Sequence, residues 1–332
     1  MYKEFYNLRR NPFEITPDPS FLFLTHRHRE ALATLYYGVQ RRKGFVVLTG
    51  EVGTGKTMLI GYLMRLLKEN GVACAYVFNS RLSALGFLQY VALDLGLDLT
   101  GKNKARLLYD LNKYLIARYQ RKLTTVIVVD EAHSLGTDVL EEVRLLTNLE
   151  TAEQKLLQVL LVGQPELAQK LDSFELRQLK QRIALRTYLE PLDLEETRGY
   201  IRRRLHVAGA HPDGNLIPDE AVAAIYRFSG GIPRLINTIC ENALITTFAR
   251  ALTIVPPEII VQAAKDLCLE ATAESRIELS FGNNHELNHA AATMRCLRDR
   301  LQDIAEEREP SSPLDTGLHW PAIPSLKPFT DS

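Results

Sequence analysis

Gly50-Glu51-Val52-Gly53-Thr54-Gly55-Lys56-Thr57 is the stretch that decides the fold. It matches the phosphate-loop pattern G-x-x-x-x-G-K-[ST] at every fixed position. The apolar run at 45–48 precedes it and predicts a buried strand, and residues 58–68 predict a helix that ends near Gly71. Strand, glycine-rich loop and helix in this order form the context that the pattern requires, so the stretch predicts nucleotide binding.

The chemistry of this loop follows from its residue types. Glycines let the backbone curl so that several N–H groups point at phosphate oxygens, beside a helix N-terminus that favours anions. Lys56 is expected to reach the β- and γ-phosphates, and the Thr57 hydroxyl to bind Mg²⁺. The predicted nucleotide-binding set is the loop from Gly50 to Thr57 together with Met58, and the expected cofactors are ATP and Mg²⁺.

A second acidic motif, Asp130-Glu131, follows the β-branched run at 124–129. Asp130 is expected to hold Mg²⁺ through water, and Glu131 to polarise the attacking water as a general base. Asp130 also belongs to the predicted nucleotide-binding set, as does Arg234, and with Thr57 it forms the predicted metal site. His133 could contact the γ-phosphate side or be an ordinary loop histidine.

Gln164 follows the apolar run at 156–162, which predicts another strand. Its amide could lie between the γ-phosphate and the water held by Glu131, in which case it is catalytic together with Lys56. Alternatively, it is a solvated residue in a strand-end turn.

Strand and helix patterns alternate between 45 and 190. Continuous apolar strands that alternate with helices predict a parallel sheet covered on both faces, with ligands at the carboxyl ends of the strands. The predicted fold class is α/β, a P-loop parallel sheet sandwiched by helices and followed by an all-α lid domain. The predicted parts of the chain are an N-terminal arm and helix (1–43), the αβα core (44–190), the helical lid (191–272), a heptad-like helical extension (273–309) and a Pro-rich, disordered tail (310–332).

Two basic segments are candidates for contacts with the phosphates. Residues 176–186 are predicted to be a helix, and they form either a solvated face or the source of an arginine that reaches the γ-phosphate of a neighbouring subunit. Arg234 follows Gly230-Gly231-Ile232-Pro233 at a predicted helix start. It is either an ordinary helix-start arginine or one that swings onto the nucleotide from the lid.

Composition limits the functional classes. In 332 residues, Lys plus Arg and Asp plus Glu are 40 each, so net charge indicates neither nucleic acid nor an anionic membrane as a partner. We find no apolar run of membrane-span length and no signal core at the N-terminus, so a cytoplasmic protein is expected. The four scattered cysteines are expected to be buried, reduced thiols.

The C-terminal region carries two further features. Positions 287, 290, 294, 297, 301 and 304 form a short heptad seam, which could dock on a partner helix or on the protein's own core. Trp320 in the Pro-rich tail is either a docking anchor or an incidental contact.

These motifs occur in the order typical of AAA+ ATPases, and the chain resembles that class over roughly residues 1–270. The Asn11-Pro12-Phe13 arm, the phosphate loop, Gly163-Gln164-Pro165-Glu166-Leu167 and Ser229-Gly230-Gly231-Ile232-Pro233-Arg234 resemble the cytoplasmic ATPase region of the general secretion pathway protein A family and its exosortase-associated relatives. The resemblance implies that Gln164 is sensor 1, that Arg234 is sensor 2, and that an arginine finger acts between subunits. Arg182 matches the finger best, with Arg177 as the fallback.

The resemblance also implies an ATP-dependent ring or filament, recruited to the inner face of the membrane by envelope or secretion partners. Two departures restrict it. The secretion proteins carry a membrane span and a peptidoglycan-binding domain after the ATPase, and neither is found here. The family usually has Gln where this chain has His133.

Two functions are expected from these observations. The first is an ATP-hydrolysing motor or switch of a secretion or envelope-polymer export system. The alternative is a DNA-binding ATPase of the transposition target-selection type. The basic clusters Arg41-Arg42-Lys43 and Arg202-Arg203-Arg204 could serve that alternative as phosphate contacts, or they could be solvated helix faces.

Overall fold

The computed structural model describes residues 2–14, 16, 18–78, 82–152, 154–211 and 214–271. The strands in these ranges form one sheet with the order β2-β3-β4-β1-β5, and every adjacent pair is parallel. The strands are β1 (Phe45–Gly50), β2 (Ala73–Val77), β3 (Thr125–Val129), β4 (Leu157–Gly163) and β5 (Ile183–Leu189). The helices are α1 (Tyr2–Phe5), α2 (His26–Gln40), α3 (Lys56–Glu69), α4 (Ala84–Asp94), α5 (Lys104–Gln120), α6 (Thr137–Leu146), α7 (Pro165–Leu171), α8 (Arg177–Lys180), α9 (Leu194–Val207), α10 (Asp219–Ser229), α11 (Pro233–Ala249) and α12 (Pro257–Asp266).

Helices cover both faces of the sheet. Successive side chains of a strand point to opposite faces, so Phe45 and Val47 of β1 pack with α4 to α8, whereas Val46 and Leu48 pack with α2 and α3. Strands buried on both faces explain the continuous apolar runs in the sequence. The predicted fold class, a P-loop parallel sheet sandwiched by helices, is confirmed.

The prediction of one helix over 176–186 is wrong. A single turn, α8, ends at Lys180, and the chain then enters the edge strand β5. Burial alternates along β5, with Ala184, Arg186 and Tyr188 exposed. An edge strand that is half exposed keeps polar residues such as Arg186 on its outer side, whereas the other basic residues of the segment, Arg177, Lys180 and Arg182, precede the strand.

The helices α9 to α12 enclose a separate apolar cluster, and the N-terminal arm belongs to it. Tyr2, Leu8 and Phe13 are buried among side chains of these helices. The Tyr2 hydroxyl donates to both carboxylate oxygens of Glu241, at 2.8 and 2.7 Å. The arm is therefore packed as part of the helical region that follows the sheet.

A buried arginine holds the arm in place. Arg204 is 5% exposed. Its Nη2 donates to the Glu14 carbonyl at 3.1 Å, its Nε to the Pro12 carbonyl, and its Nη1 to the Tyr200 hydroxyl at 2.8 Å. The guanidinium also lies 4.5 Å from the centre of the Phe21 ring. Arg204 thus adds hydrogen bonds to the carbonyls of Pro12 and Glu14 to the apolar packing of the arm.

Gly231 lies in the turn between α10 and α11, against the segment that follows β5. Its φ is +72°, and a Cβ atom there would lie 1.8 Å from the Leu192 carbonyl oxygen. The Leu192 N–H in turn donates to the Gly231 carbonyl at 2.9 Å. This close approach of two backbone segments admits only glycine.

We expect Gly231→Ala to lower the free energy of unfolding by about 2–4 kcal/mol, because it adds left-handed strain and a backbone clash. Denaturant unfolding measures the change. Gly61→Ala is the control, because Gly61 lies within α3 with no atom within 4 Å of its Cβ position, and it should gain about 0.5–1 kcal/mol. Equal denaturant midpoints of unfolding for the two variants would contradict the requirement for glycine at position 231.

Several expectations lie outside the described residues: the extension 273–309, the seam 287–304, the tail 310–332 with Trp320, and Cys296. In the described ranges, Cys240 is buried, Cys74 is half-buried and Cys268 is exposed, so the expectation of burial is wrong for Cys268. Within the same ranges, no helix combines the length and the apolar character that a bilayer crossing needs.

Candidate active site

The phosphate loop joins the end of β1 to the start of α3. Gly53 and Gly55 have φ values of +84° and +97°, in the left-handed region that glycine adopts at low cost. The Thr54 hydroxyl donates to the Glu51 carbonyl at 2.8 Å and closes the loop. No side chain caps the N-terminus of α3, so its first N–H groups are free to bind an anion.

Lys56 points back into this loop. Its ammonium donates to the carbonyls of Gly50 and Glu51 at 2.7 and 2.8 Å, and its side chain is buried. Burial lowers the pKa of this amine, and the carboxylates of Glu131 and Asp130 act in the opposite direction. A buried cation at an uncapped helix N-terminus fits a phosphate group.

Thr57 in the first turn of α3 and Asp130 directly after β3 are hydrogen-bonded to each other, at the position where the sequence predicts a metal site. The Thr57 hydroxyl donates to Asp130 Oδ2 at 3.0 Å, and the Tyr76 hydroxyl donates to the same oxygen at 2.8 Å. The Glu131 N–H donates to Asp130 Oδ1 at 2.9 Å. Hydroxyl and carboxylate oxygens beside a phosphate loop are the donor set that Mg²⁺ takes in nucleotide sites, so these residues fit the cation.

Glu131, His133 and Gln164 form a second group at the same edge of the sheet. Glu131 Oε2 lies 3.5 Å from Gln164 Nε2 and 3.4 Å from His133 Nδ1. Glu131 has a φ of +52°, a left-handed conformation that is uncommon for a non-glycine residue and directs its side chain away from that of Asp130. The adjacent acids thus make different contacts, Asp130 towards Thr57 and Glu131 towards Gln164.

Arg234 lies beside the phosphate loop. Its N–H donates to the Gly53 carbonyl at 3.3 Å, and a Cβ atom on Gly53 would lie 2.8 Å from Arg234 Cβ. The side chain is exposed at the first turn of α11. The helical region therefore contacts the loop directly, with a cation at the contact.

The two candidate finger arginines differ in their surroundings. Arg182 lies in the turn between α8 and β5 and donates to the Arg144 carbonyl at 3.2 Å and to the Thr147 hydroxyl at 2.9 Å. Arg177 is exposed, and its guanidinium lies 4.2 Å from the centre of the Phe174 ring. The contacts of Arg182 are thus at the end of α6, and that of Arg177 is in the turn after α7.

Sequence reasoning missed three residues near the loop. Tyr76 reaches Asp130 from β2, and His28 of α2 is buried with its Nδ1 2.8 Å from the Thr25 hydroxyl oxygen. The Nε2 atom of His28 lies 3.8 Å from the Cβ position of Gly55, and burial lowers the pKa of its imidazole. Tyr62 lines a cavity of about 170 Å³ between the arm and α3, together with Pro19, Leu22, Thr57, Met58, Gly61 and Arg65.

A P-loop between strand and helix, an acidic pair after β3, a polar residue after β4 and a following helical region are the arrangement of an AAA+ type of P-loop fold. The family of the AAA domain matches residues 39–171. Within that class, the chain is 46% identical over 251 residues to General secretion pathway protein A of Aeromonas hydrophila, a match that covers 75% of this chain and 45% of that protein. The chain thus spans less than half the length of this curated relative.

Solved structures share the fold at low sequence identity. Cdc6p from Pyrobaculum aerophilum superposes with a TM-score of 0.60 at 18% identity, over 80% of this chain and 73% of that one. The Aeropyrum pernix ORC2 protein in its ADPNP-ADP complexes gives 0.59 at 17% identity, over 81% and 74%. These likenesses show the fold alone, and they confirm an α/β P-loop fold with a helical region after it.

Proposed function

We propose that this chain is an ATP-hydrolysing motor or switch protein that acts on a secretion or exopolysaccharide/envelope export system. The reaction is ATP plus water to ADP plus phosphate. The observation that carries the reaction is the arrangement at one edge of the sheet, where Thr57 and Asp130 share a hydrogen bond beside the phosphate loop and Gln164 lies next to Glu131.

Each side chain has a distinct task in this proposal. The loop N–H groups and Lys56 bind the phosphates, and Thr57 and Asp130 would hold Mg²⁺, which would supply positive charge beside the phosphates. Glu131 accepts a proton from the attacking water, and Gln164 orients that water between its amide and the γ-phosphate. Arg234 binds the nucleotide from the helical region, so that α11 and the loop respond together to the γ-phosphate.

The pathway rests on kinship with the secretion protein. An identity of 46% over 251 residues supports a related task. Because the match spans 45% of that relative, its partners and its place in the cell are also part of the proposal. The proposed partners are envelope or secretion proteins, and the proposed location is the cytoplasmic side of the inner membrane, where those partners would recruit the chain.

The DNA-binding alternative gains no support from its two basic clusters. Arg204 is buried against the arm, and Arg202 pairs with Asp219 at 3.3 Å. Arg42 donates to the Leu123 carbonyl at 3.0 Å and lies 5.0 Å from the centre of the Tyr119 ring. These side chains serve the fold, so the clusters offer fewer phosphate contacts than the sequence suggests.

The catalytic arginine is proposed to act between subunits of a ring or filament that forms on ATP. Arg182 is the first candidate and Arg177 the second. We expect Arg182→Ala to lose most turnover and to recover part of it when mixed with Glu131→Gln, which binds ATP without hydrolysing it and supplies Arg182. Turnover against the mixing ratio measures this effect, and Arg177→Ala is the parallel test. Recovery only with Arg177→Ala would move the assignment to Arg177, whereas no recovery in intact assemblies would remove the role between subunits.

The proposed function is tested by ATP turnover of the purified protein, with and without duplex DNA, across a salt series. Lys56→Ala is the inactive reference, and its ATP affinity should fall by about 100-fold or more because a buried charge contact to phosphate is lost. Turnover that is indifferent to DNA supports a protein-directed ATPase. Turnover that rises with DNA and loses that rise with salt would favour the alternative.

A further inference from the structure

The hydroxyl of Tyr76 approaches the cation-binding carboxylate from the edge strand β2. It donates to Asp130 Oδ2 at 2.8 Å, across the β2–β3 pairing that places Tyr76 beside Val128. Thr57 donates to the same oxygen from the phosphate loop. One carboxylate oxygen thus receives two hydroxyl donors, one from β2 and one from the first turn of α3.

The other oxygen of Asp130 is also occupied, by the Glu131 N–H at 2.9 Å. Three donors on two oxygens fix the rotation of this carboxylate. Without the Tyr76 hydroxyl, the carboxylate keeps only one donor on Oδ2 and can turn about its Cβ–Cγ bond. The orientation of Oδ2 towards Thr57 therefore depends on a residue outside the two nucleotide-binding motifs.

Tyr76 is itself held by its backbone and by its ring. Its backbone N–H donates to Asp94 Oδ2 at 2.6 Å, and its ring centre lies 6.2 Å from that of Phe78, which in turn lies 6.0 Å from the ring of Tyr90. A phenol is protonated at neutral pH, so the Tyr76 hydroxyl is a donor to the Asp130 carboxylate. The phenol is a fixed, protonated donor aimed at one oxygen atom.

We propose that Tyr76 is a positioning residue of the nucleotide site, which holds the Asp130 carboxylate in the orientation that receives a nucleotide-bound divalent cation. The inference rests on the proposed function, since it requires that ATP binds with Mg²⁺. Hydrogen bonds to a ligating carboxylate from outside the metal's own ligands commonly change metal affinity by about 10- to 100-fold. The Tyr76 hydroxyl is expected to change Mg²⁺ affinity by a factor in this range. It acts through Asp130 and does not touch the nucleotide.

The test is Tyr76→Phe, which removes the hydroxyl and keeps the ring. Binding of a fluorescent ATP analogue is titrated with Mg²⁺, and binding in EDTA is measured separately. We expect the Mg²⁺ midpoint to rise by about 10-fold or more, with analogue affinity in EDTA unchanged. In turnover assays, the Mg²⁺ concentration for half-maximal rate should rise while the rate at saturating Mg²⁺ changes much less.

Tyr90→Phe is the matched control, because it removes a hydroxyl from the same aromatic group without touching Asp130. An unchanged Mg²⁺ midpoint in Tyr76→Phe, or an equal loss of analogue affinity in EDTA, would overturn the inference. If the wild type binds the analogue without any response to Mg²⁺, the proposed function fails, which is a different result.

A second experiment applies if Tyr76→Phe does not fold: 3-fluorotyrosine is incorporated at position 76 instead. Its ¹⁹F resonance should move when Mg²⁺ is added to the nucleotide complex, more than the same label at 90, and equal shifts would overturn the inference.

Discussion

Glu131→Gln is expected to lower ATP turnover by about 100- to 10,000-fold while ATP affinity stays close to that of the wild type. The amide keeps the size of the side chain and cannot accept a proton from water. Asp130, which faces Thr57 through Oδ2, is unchanged by the substitution. Phosphate release at saturating ATP and analogue binding with Mg²⁺ measure the two quantities separately.

The control is Glu166→Gln, which removes a carboxylate from the first turn of α7, two residues after Gln164. It should retain most of the turnover, because Glu166 is not the group that contacts the Gln164 amide. Normal hydrolysis by Glu131→Gln would show that the general base is another group. Loss of ATP binding together with turnover would instead mean that the left-handed turn at Glu131 supports the loop structurally.

Arg204→Ala is expected to lower the free energy of unfolding by about 3–5 kcal/mol. The substitution leaves the carbonyls of Pro12 and Glu14 without their donor and opens a cavity between the arm and α9. It also removes positive charge near Glu241, whose pKa burial raises. Denaturant unfolding gives the stability, and limited proteolysis reports release of the arm.

Arg203→Ala is the matched control from the same helix, because Arg203 is exposed. It should change stability by no more than about 0.5 kcal/mol. Arg204→Lys should fall between the two, since lysine keeps the charge but cannot donate in several fixed directions. If Arg204→Ala unfolds like Arg203→Ala, the arm is held mainly by its apolar side chains, such as Phe13, and the buried arginine contributes little.

Local patterns predicted most of the sheet region. The phosphate loop is readable because its glycines, Lys56 and Thr57 act within eight consecutive residues. The strand before Asp130 could be predicted because β-branched residues favour strands, and a continuous apolar run is typical of a strand that is buried on both faces. The prediction of one helix over 176–186 failed because the local sequence is compatible with both a helix and a half-exposed edge strand. The pairing of β5 with β1, which is a tertiary contact, favours the strand.

The sequence alone determined the class of this protein: the loop, the acidic pair, Gln164 and Arg234 occur in an order that specifies an AAA+ fold. Only the tertiary structure decided which side chains meet. Tyr76 and Asp130 lie 54 residues apart, Gln164 and Glu131 lie 33 apart, and Arg204 and Pro12 lie 192 apart. A motif is recorded in neighbouring residues, whereas a hydrogen bond between distant ones exists only once the strands and helices have packed. For that reason the donors that hold Asp130 and the buried arginine that holds the arm became visible only in the folded chain.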